Sequence, residues 1–490
     1  DGLLRFGSEV KAILADPAFP RSPDLAVLAN YLAHYRLTFR GRTLFRGIHE
    51  VPPGCLVRWE GKRREEKRLW SLPRVPESEK EDPGEESAAE QFRGHLARAV
   101  RRRLMADVPV GAYLSGGLDS SAIVLLMKQL GHPDLKTFSI GFPEEGYNEF
   151  SYSEMVFRAL DVPHLQVMFT EAGYFKELEP LIRTKDAPLS VPNEVPLRFL
   201  SRVLKKRITV VLSGEGADEL IGGYTQLVRS PHDFLLAKGL EEGGAAGDAA
   251  SRGRLEGALD SLYGRHRFAD QREQFLHLYQ WVPPDDRRAL LGPAFREAGV
   301  ESEIDSFWRE VWDGLDGAGL DPYEKVLAIL EEHHLSALLL RLDATTMAEG
   351  VEGRVPYTDR DLVEFVARLP VHYKVRWKGG AEEREAAGLT ALEAAGRLDM
   401  TKYLLRLAFA GELPDEIVMR PKTAFPVPLD TWFYGAWHEW AKQRILTPAM
   451  GELFDLAEVE KLMSSARRKD EGMKLWMLAN VGIWLQTYFG

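Results

Sequence analysis

The sequence is short of cysteine, of long apolar runs and of positive charge, and each shortage closes off a class of function. Cys55 is the only cysteine in 490 residues, so neither a disulfide framework nor a cysteine-rich zinc site is available. That usage fits a reducing, cytoplasmic setting. Charges interrupt the 45% hydrophobic fraction throughout, and no stretch reaches the length that spans a bilayer, so a soluble chain without a membrane partner is expected. Lys and Arg number 63 against 74 Asp and Glu, and the formal net charge of −11 argues against a nucleic-acid partner. The one basic knot, Arg101-Arg102-Arg103, reads as a solvated helix face. The length allows about two to four domains. The chain starts at Asp1 rather than Met, its opening residues read as a turn running into a strand, and an upstream segment is expected.

The stretch Leu114-Ser115-Gly116-Gly117-Leu118-Asp119-Ser120-Ser121 lies between an apolar run, Val108 to Leu114, and an amphipathic one, Ser120 to Leu130. The spacing predicts a buried strand turning into a helix across a glycine pair. Glycines let the backbone approach an anion closely, and the first free N–H groups of the helix point the same way as the hydroxyls of Ser115, Ser120 and Ser121. This is a phosphate cradle. Gly111 and Gly116 have the spacing of the first two glycines of a Walker A loop, but Gly117 stands where that loop needs lysine, which argues against γ-phosphate transfer. Asp119 places a carboxylate inside the phosphate site. An anion beside an anion calls for a divalent cation between them, so Asp119 is a candidate magnesium ligand.

A charged, proline-containing stretch, 76–86, marks a boundary, giving residues 1–72 as a first region, 73–87 as an exposed linker and 88–490 as the main body. In the first region, helices are expected at 8–14 and 24–35 and a strand at 54–59. Strand-like runs at 135–142, 164–169 and 208–212 then alternate with helical segments. That alternation predicts an α/β doubly wound parallel sheet whose ligands sit beyond the carboxyl ends of the strands, followed by a helical carboxyl-terminal part. Two stretches rich in Gly, Ala and Glu, 239–257 and 379–399, read as solvent-facing insertions.

Strand 208–212 ends in a second loop, Ser213-Gly214-Glu215-Gly216-Ala217-Asp218-Glu219, followed by Gly222-Gly223-Tyr224. Beside the first loop, Asp218 is a candidate second magnesium ligand and Glu215 a candidate general base. Lys422 lies in a proline-bracketed segment, 419–426, whose stiffness suits a cation preorganised for charge developing on a phosphate. Glu352 and Arg354 pair a carboxylate with a guanidinium, which suits an amino-acid substrate and equally a structural ion pair.

Four separated segments agree in order and spacing: L-S-G-G-L-D-S-S at 114–121, T-F-S-I-G-F at 137–142, L-S-G-E-G-A-D-E-L-I-G-G-Y at 212–224 and R-P-K at 420–422. Together they resemble the asparagine synthetase family, glutamine-hydrolysing, and further likeness at 43–54, 347–359 and 476–484 extends over most of the chain. The resemblance implies an ATP pyrophosphatase domain, of the adenine nucleotide alpha hydrolase type, preceded by the remnant of an Ntn-type glutaminase domain. It implies that Leu114 and Ile140 border adenine, that Ser115, Gly116, Gly117, Asp119 and Ser120 hold pyrophosphate, that Ser213 and Gly214 contact AMP, and that Glu215 and Lys422 are catalytic. Tyr224, Glu352 and Arg354 are candidate substrate contacts. The implied reaction uses MgATP to convert aspartate and ammonia, or glutamine-derived ammonia, to asparagine through an acyl-adenylate, releasing AMP and pyrophosphate. A homodimer is allowed. The family's glutaminase nucleophile is a cysteine directly after Met; Cys55, in a Pro-Pro-Gly-Cys turn, is not that residue, so ammonia rather than glutamine is expected to serve this chain. Asp343-Ala344 departs from the family, where arginine often follows the aspartate. A lactam- or macrolactam-forming relative, a tRNA-modifying pyrophosphatase and a non-catalytic partner are the alternatives.

Overall fold

A computed structural model describes residues 3–61, 63–243, 249–422, 426–465 and 471–490. Its centre is a five-stranded sheet: β1 (Val110–Tyr113), β2 (Lys136–Gly141), β3 (His164–Met168), β4 (Val210–Leu212) and β5 (Glu352–Arg354), in the order β3-β2-β1-β4-β5. All neighbours are parallel. The chain winds outward from β1 to β3 and then returns to the other side of β1, so the direction of winding reverses between β1 and β4. Such a reversal leaves a crevice beyond the carboxyl ends of the two strands. Pairing of Ala112 with Leu212 brings those ends level, and the loops that follow them emerge side by side. Gly111 permits this close packing, since a side-chain carbon there would lie 2.6 Å from the Lys136 carbonyl oxygen. The sequence did not suggest β5. Its three residues, Glu-Gly-Arg, carry no strand signature and are extended because β4 offers an open edge.

Helices cover the sheet. Helix α1 (Leu25–His34) is capped by Asp24, whose carboxylate accepts from the Ala26 and Val27 N–H groups. Helix α2 (Glu85–Arg103) precedes β1, and α3 (Leu118–Gln129) follows it, buried along most of its length. The carboxyl-terminal helix Gly472–Tyr488 is apolar on all sides and correspondingly buried on all sides. It shares one core with α1: Trp484 meets Phe45 edge-on at 5.3 Å, and the Tyr31 hydroxyl donates to the Leu189 carbonyl at 2.8 Å. Residues 25–48 are thus seated on the body of the protein. The stretch 73–87 crosses the surface but is pinned, with Lys80 reaching Glu324 at 3.2 Å and Arg74 reaching Glu331 at 3.0 Å.

Several expectations need correcting. Residues 3–7 form no strand among the described residues. Arg101 and Arg102 are solvent-exposed on their helix, as expected, but Arg102 and Arg103 are also held: both bind Asp359, at 3.0 and 2.8 Å, and anchor the turn after β5. Of 239–257, residues 244–248 lie outside the described residues, and the helix Ala249–Tyr263 buries Leu255, Leu259 and Tyr263. The stretch 379–399 faces solvent along much of its length, as expected, but is built into short helices rather than left irregular. Its helices Gly380–Ala386 and Ala391–Ala394 bury Ala386, Ala391 and Ala394, Thr390 and Glu393 form a reciprocal cap, and Asp399 pairs with Arg229 at 3.4 Å.

Asp233 ties both stretches together: it accepts from the Tyr263 hydroxyl at 2.6 Å and from the Ala391 N–H at 2.6 Å. Burial raises its pKa to about 6. The fold therefore prefers the protonated carboxyl, so the stability it contributes is full below the unfolded value of about 4 and is lost as pH rises towards 6. Asp233→Asn cannot ionise. Its melting temperature relative to wild type is expected to climb between pH 4 and 6 and to level off above; a pH-independent difference would contradict this assignment.

Candidate active site

The loop after β1 makes the first wall. Gly116 is left-handed (φ 78°), and a side-chain carbon there would lie 2.4 Å from the Tyr152 carbonyl carbon. Hydroxyls lace the turn. The Gly117 N–H donates to Ser115 Oγ at 3.2 Å, Ser120 Oγ donates to the Gly117 carbonyl at 3.1 Å, and the two hydroxyl oxygens are 3.2 Å apart. Gly117 offers no side-chain cap to α3, so the helix's first N–H groups stay available to an anion. Ser121 does not join the cradle; it is fully buried and donates to the Gly117 carbonyl at 2.8 Å.

The loop after β4 presses against the first. A side-chain carbon on Gly214 would sit 3.1 Å from Asp119 Cβ, and one on Gly223 would sit 1.7 Å from Asp218 Oδ1 and 2.3 Å from Lys402 Cε. The glycines make room for a four-charge group. Lys402 Nζ donates to Asp119 Oδ1 and Oδ2 at 2.7 and 2.6 Å and lies 2.6 Å from Asp218 Oδ1, while Lys422 Nζ donates to Asp218 Oδ2 at 2.6 Å. Burial alone would push the Asp218 pKa up, but the two ammonium groups outweigh it and hold the carboxyl well below the usual range. Burial would likewise lower Lys422, and Asp218 with Asp119 raises it instead.

Sequence reasoning missed Lys402, which sits in a left-handed conformation (φ 54°) before the helix Tyr403–Phe409. A positive φ on a lysine leaves no mark in the sequence. The segment carrying Lys422 is fixed by two arginines. Arg406 donates to the carbonyls of Thr401 (2.7 Å), Val418 and Arg420 (3.0 Å). Arg420 donates to the Gly116 carbonyl at 3.2 Å, pairs with Glu149 and stacks 3.6 Å over Tyr152. Within 419–426, residues 423–425 lie outside the described residues.

These walls enclose a cavity of about 1570 Å³. Leu114, Ser115, Asp119, Ser120, Ile140, Ser213, Gly214, Glu215, Asp218, Tyr224 and Lys422 all line it. Glu215 pairs there with Arg341, a second residue the sequence did not single out, whose guanidinium also donates to Asn193 Oδ1 at 3.0 Å. Glu352 and Arg354 do not reach the cavity. Arg354 donates to Glu352 at 2.8 Å and to the carbonyls of Arg103 and Met105, each at 2.8 Å, so the pair secures the end of α2. Deeper in the cavity Tyr224 donates to Glu219 Oε1 at 2.7 Å, and burial together with neighbouring Asp218 raises the Glu219 pKa to about 8.

The Asp119 and Asp218 carboxylates fit magnesium: they are hard oxygen donors from two helix first turns that already share one cation, Lys402, beside a cradle for phosphate. Magnesium is commonly held by one or two carboxylates with phosphate and water completing its shell.

The asparagine synthase family profile matches residues 91–486, and a glutamine amidotransferase domain profile matches residues 1–70. An asparagine synthetase (glutamine-hydrolyzing) of Bacillus subtilis is 29% identical over 416 residues, covering 82% of this chain and 59% of the relative. A second one from Bacillus subtilis is 27% identical over 453 residues, covering 89% and 64%. An amidase of Penicillium rubens is 27% identical over 486 residues, covering 91% and 67%. The chain thus spans about three-fifths of the length of the synthetases it matches. Among solved structures, a U34-tRNA thiolase of Methanococcus maripaludis is 17% identical with a TM-score of 0.22, covering 50% of this chain and 80% of that one, a likeness that carries no argument.

The four-charge group generates a test. Lys402→Met leaves two facing carboxylates without their shared cation, a loss of about 3–5 kcal/mol for a buried pair. Millimolar magnesium should restore part of the lowered melting temperature while leaving wild type nearly unmoved. A Lys402→Met variant that magnesium does not stabilise would contradict the carboxylates' fit to the metal.

Proposed function

The chain belongs to the asparagine synthase family, and on that footing we propose that it forms an amide from a carboxylate and ammonia by way of an acyl-adenylate. The observation that carries this reading is the meeting, in one cavity, of the hydroxyl and N–H cradle with the Asp119–Lys402–Asp218–Lys422 group. ATP is a substrate: adenine borders Leu114 and Ile140, Ser115, Gly116, Gly117 and Ser120 hold the β and γ phosphates, and Ser213 and Gly214 contact the AMP portion. Asp119 and Asp218 would hold magnesium, which supplies positive charge to the pyrophosphate when bound.

An acceptor carboxylate oxygen attacks the α-phosphorus, and the bond to the bridging oxygen of pyrophosphate breaks. Lys422, positioned by Arg406 and Arg420 before the reaction begins, stabilises charge that develops on the phosphates in the transition state. Ammonia then attacks the acyl carbon, AMP departs, and Glu215 takes the proton lost by the incoming nitrogen. Aspartate is the proposed acceptor, and a lactam- or macrolactam-forming cyclisation on another carboxylate is the alternative that the same chemistry accommodates. Residues 1–72 are proposed as the end of a glutaminase domain, 73–87 as its linker and 88–490 as the synthetase domain. No helix among the described residues is long and apolar enough to cross a membrane.

Acceptor-dependent exchange of labelled pyrophosphate into ATP, run over a panel of amino acids and other carboxylates, tests the proposal. Aspartate is expected to support exchange, and amide formation is expected with ammonium salts. No exchange with any carboxylate would sink the adenylation step. Lys422→Ala should lower the exchange rate by roughly 10²–10³ with little change in the KM for ATP, because its contribution belongs to the transition state. A weakened KM with an unchanged rate would reassign Lys422 to ground-state binding.

A further inference from the structure

The carboxylates around the phosphate cradle each face a cation: Asp119 and Asp218 face Lys402 and Lys422, Glu215 faces Arg341 and Glu149 faces Arg420. Glu219 does not. It is 1% exposed and lines the same cavity, yet among the described residues no lysine or arginine lies within ion-pair distance of it. Its nearest basic group is the His334 imidazole, 4.0 Å from Oε1, which is engaged by the Tyr35 hydroxyl at 3.0 Å from Nε2 and 2.5 Å from Nδ1. His334 ends a π-helical turn, Leu330–His334, a widened turn of the kind that recurs at functional sites.

A buried carboxyl has room for charge only when a countercharge arrives, and an ammonium ion supplies one. The surroundings here are aromatic. The Tyr224 ring lies 5.0 Å from the His334 ring, and the Tyr35 ring lies 5.5 Å from it on another side. A buried carboxyl that accepts from the Tyr224 hydroxyl and lines a cavity flanked by aromatic rings is a seat for an alkylammonium ion. We propose that Glu219, with Tyr224, seats the primary ammonium group of a substrate in this cavity. The seat adjoins the adenylating centre, since Lys422 Nζ is 6.0 Å from the centre of the Tyr224 ring. This assignment rests on the amide-forming reading, in which two cargoes carry such a group: the α-ammonium of an amino-acid acceptor and the ammonium ion that supplies nitrogen.

Glu219→Gln removes the ability to ionise and keeps the side chain's shape and the Tyr224 hydrogen bond. If the seat holds the acceptor, the variant's KM for aspartate in pyrophosphate exchange rises by about ten-fold or more, the KM for ATP stays put, and the preference for aspartate over succinate, which lacks the amine, falls in proportion. A raised KM for ammonium in amide formation, with aspartate unaffected, places the nitrogen donor there instead. Wild-type values for both substrates overturn the proposal. A direct readout separates its failure from failure of the amide-forming reading: methylammonium chloride, compared with sodium chloride at equal ionic strength, should raise the melting temperature of wild type and not of Glu219→Gln. Tyr224→Phe, which removes only the hydroxyl, should show a smaller loss and serves if Glu219→Gln does not fold. Identical responses of wild type and the folded variants to methylammonium overturn the proposal even where no carboxylate is activated.

Discussion

The structure turns on one ammonium group, that of Lys402, held between the carboxylates of Asp119 and Asp218. These carboxylates come from the first turns of the helices that follow β1 and β4, and Lys402 lies 283 residues beyond Asp119 in the chain. Two like charges brought this close in a buried crevice repel unless a cation stands between them. With Lys422 added on Asp218, the group is neutral overall, two carboxylates against two ammonium groups. Much nearby structure serves that arrangement. Gly223 leaves space that any side chain would take from Asp218 and Lys402, Gly214 lets the second loop lie on Asp119, and the Tyr357 hydroxyl donates to the Asp119 carbonyl at 3.1 Å.

The sheet makes the meeting possible. Because the winding reverses between β1 and β4, their two loops leave the sheet level and adjacent, and neither needs a long excursion to reach the other. The helical carboxyl-terminal part then closes the crevice from the opposite side, bringing Lys402, Arg406, Arg420 and Lys422 across the cradle. Packing of that part against α1, through residues such as Phe45 and Trp484, couples the amino-terminal stretch to the same rigid body. Tyr35, at the end of α1, consequently lines the cavity although it is far from both loops in sequence.

The parts legible in the sequence were those written locally. A strand, a glycine pair and a helix at 108–130 announce a phosphate turn because backbone geometry demands those residues in that order, and the loop at 213–224 repeats the signal. Asp24 before an apolar helical stretch similarly marks the start of α1. What could not be read depends on distant partners. Lys402 and Arg341 become site residues only because carboxylates from other segments meet them, and β5 is a strand only because β4 has a free edge. Glu352 and Arg354 suited a substrate or a structural ion pair equally, and the ion pair is what forms; the carbonyls at the end of α2 that also occupy Arg354 are an interaction between backbone and side chain that composition cannot encode.

The central claim is that this crevice is shaped for cleavage between the α and β phosphates and not for transfer of the γ-phosphoryl group. A cradle without a Walker lysine, facing two lysines anchored on carboxylates, favours departure of an intact pyrophosphate. The direct measurement is the product balance when the protein turns over MgATP with an activating carboxylate and ammonium, followed by phosphorus NMR. The account predicts AMP and pyrophosphate in equal amounts, matched by the amide formed; ADP and inorganic phosphate as the products would contradict it.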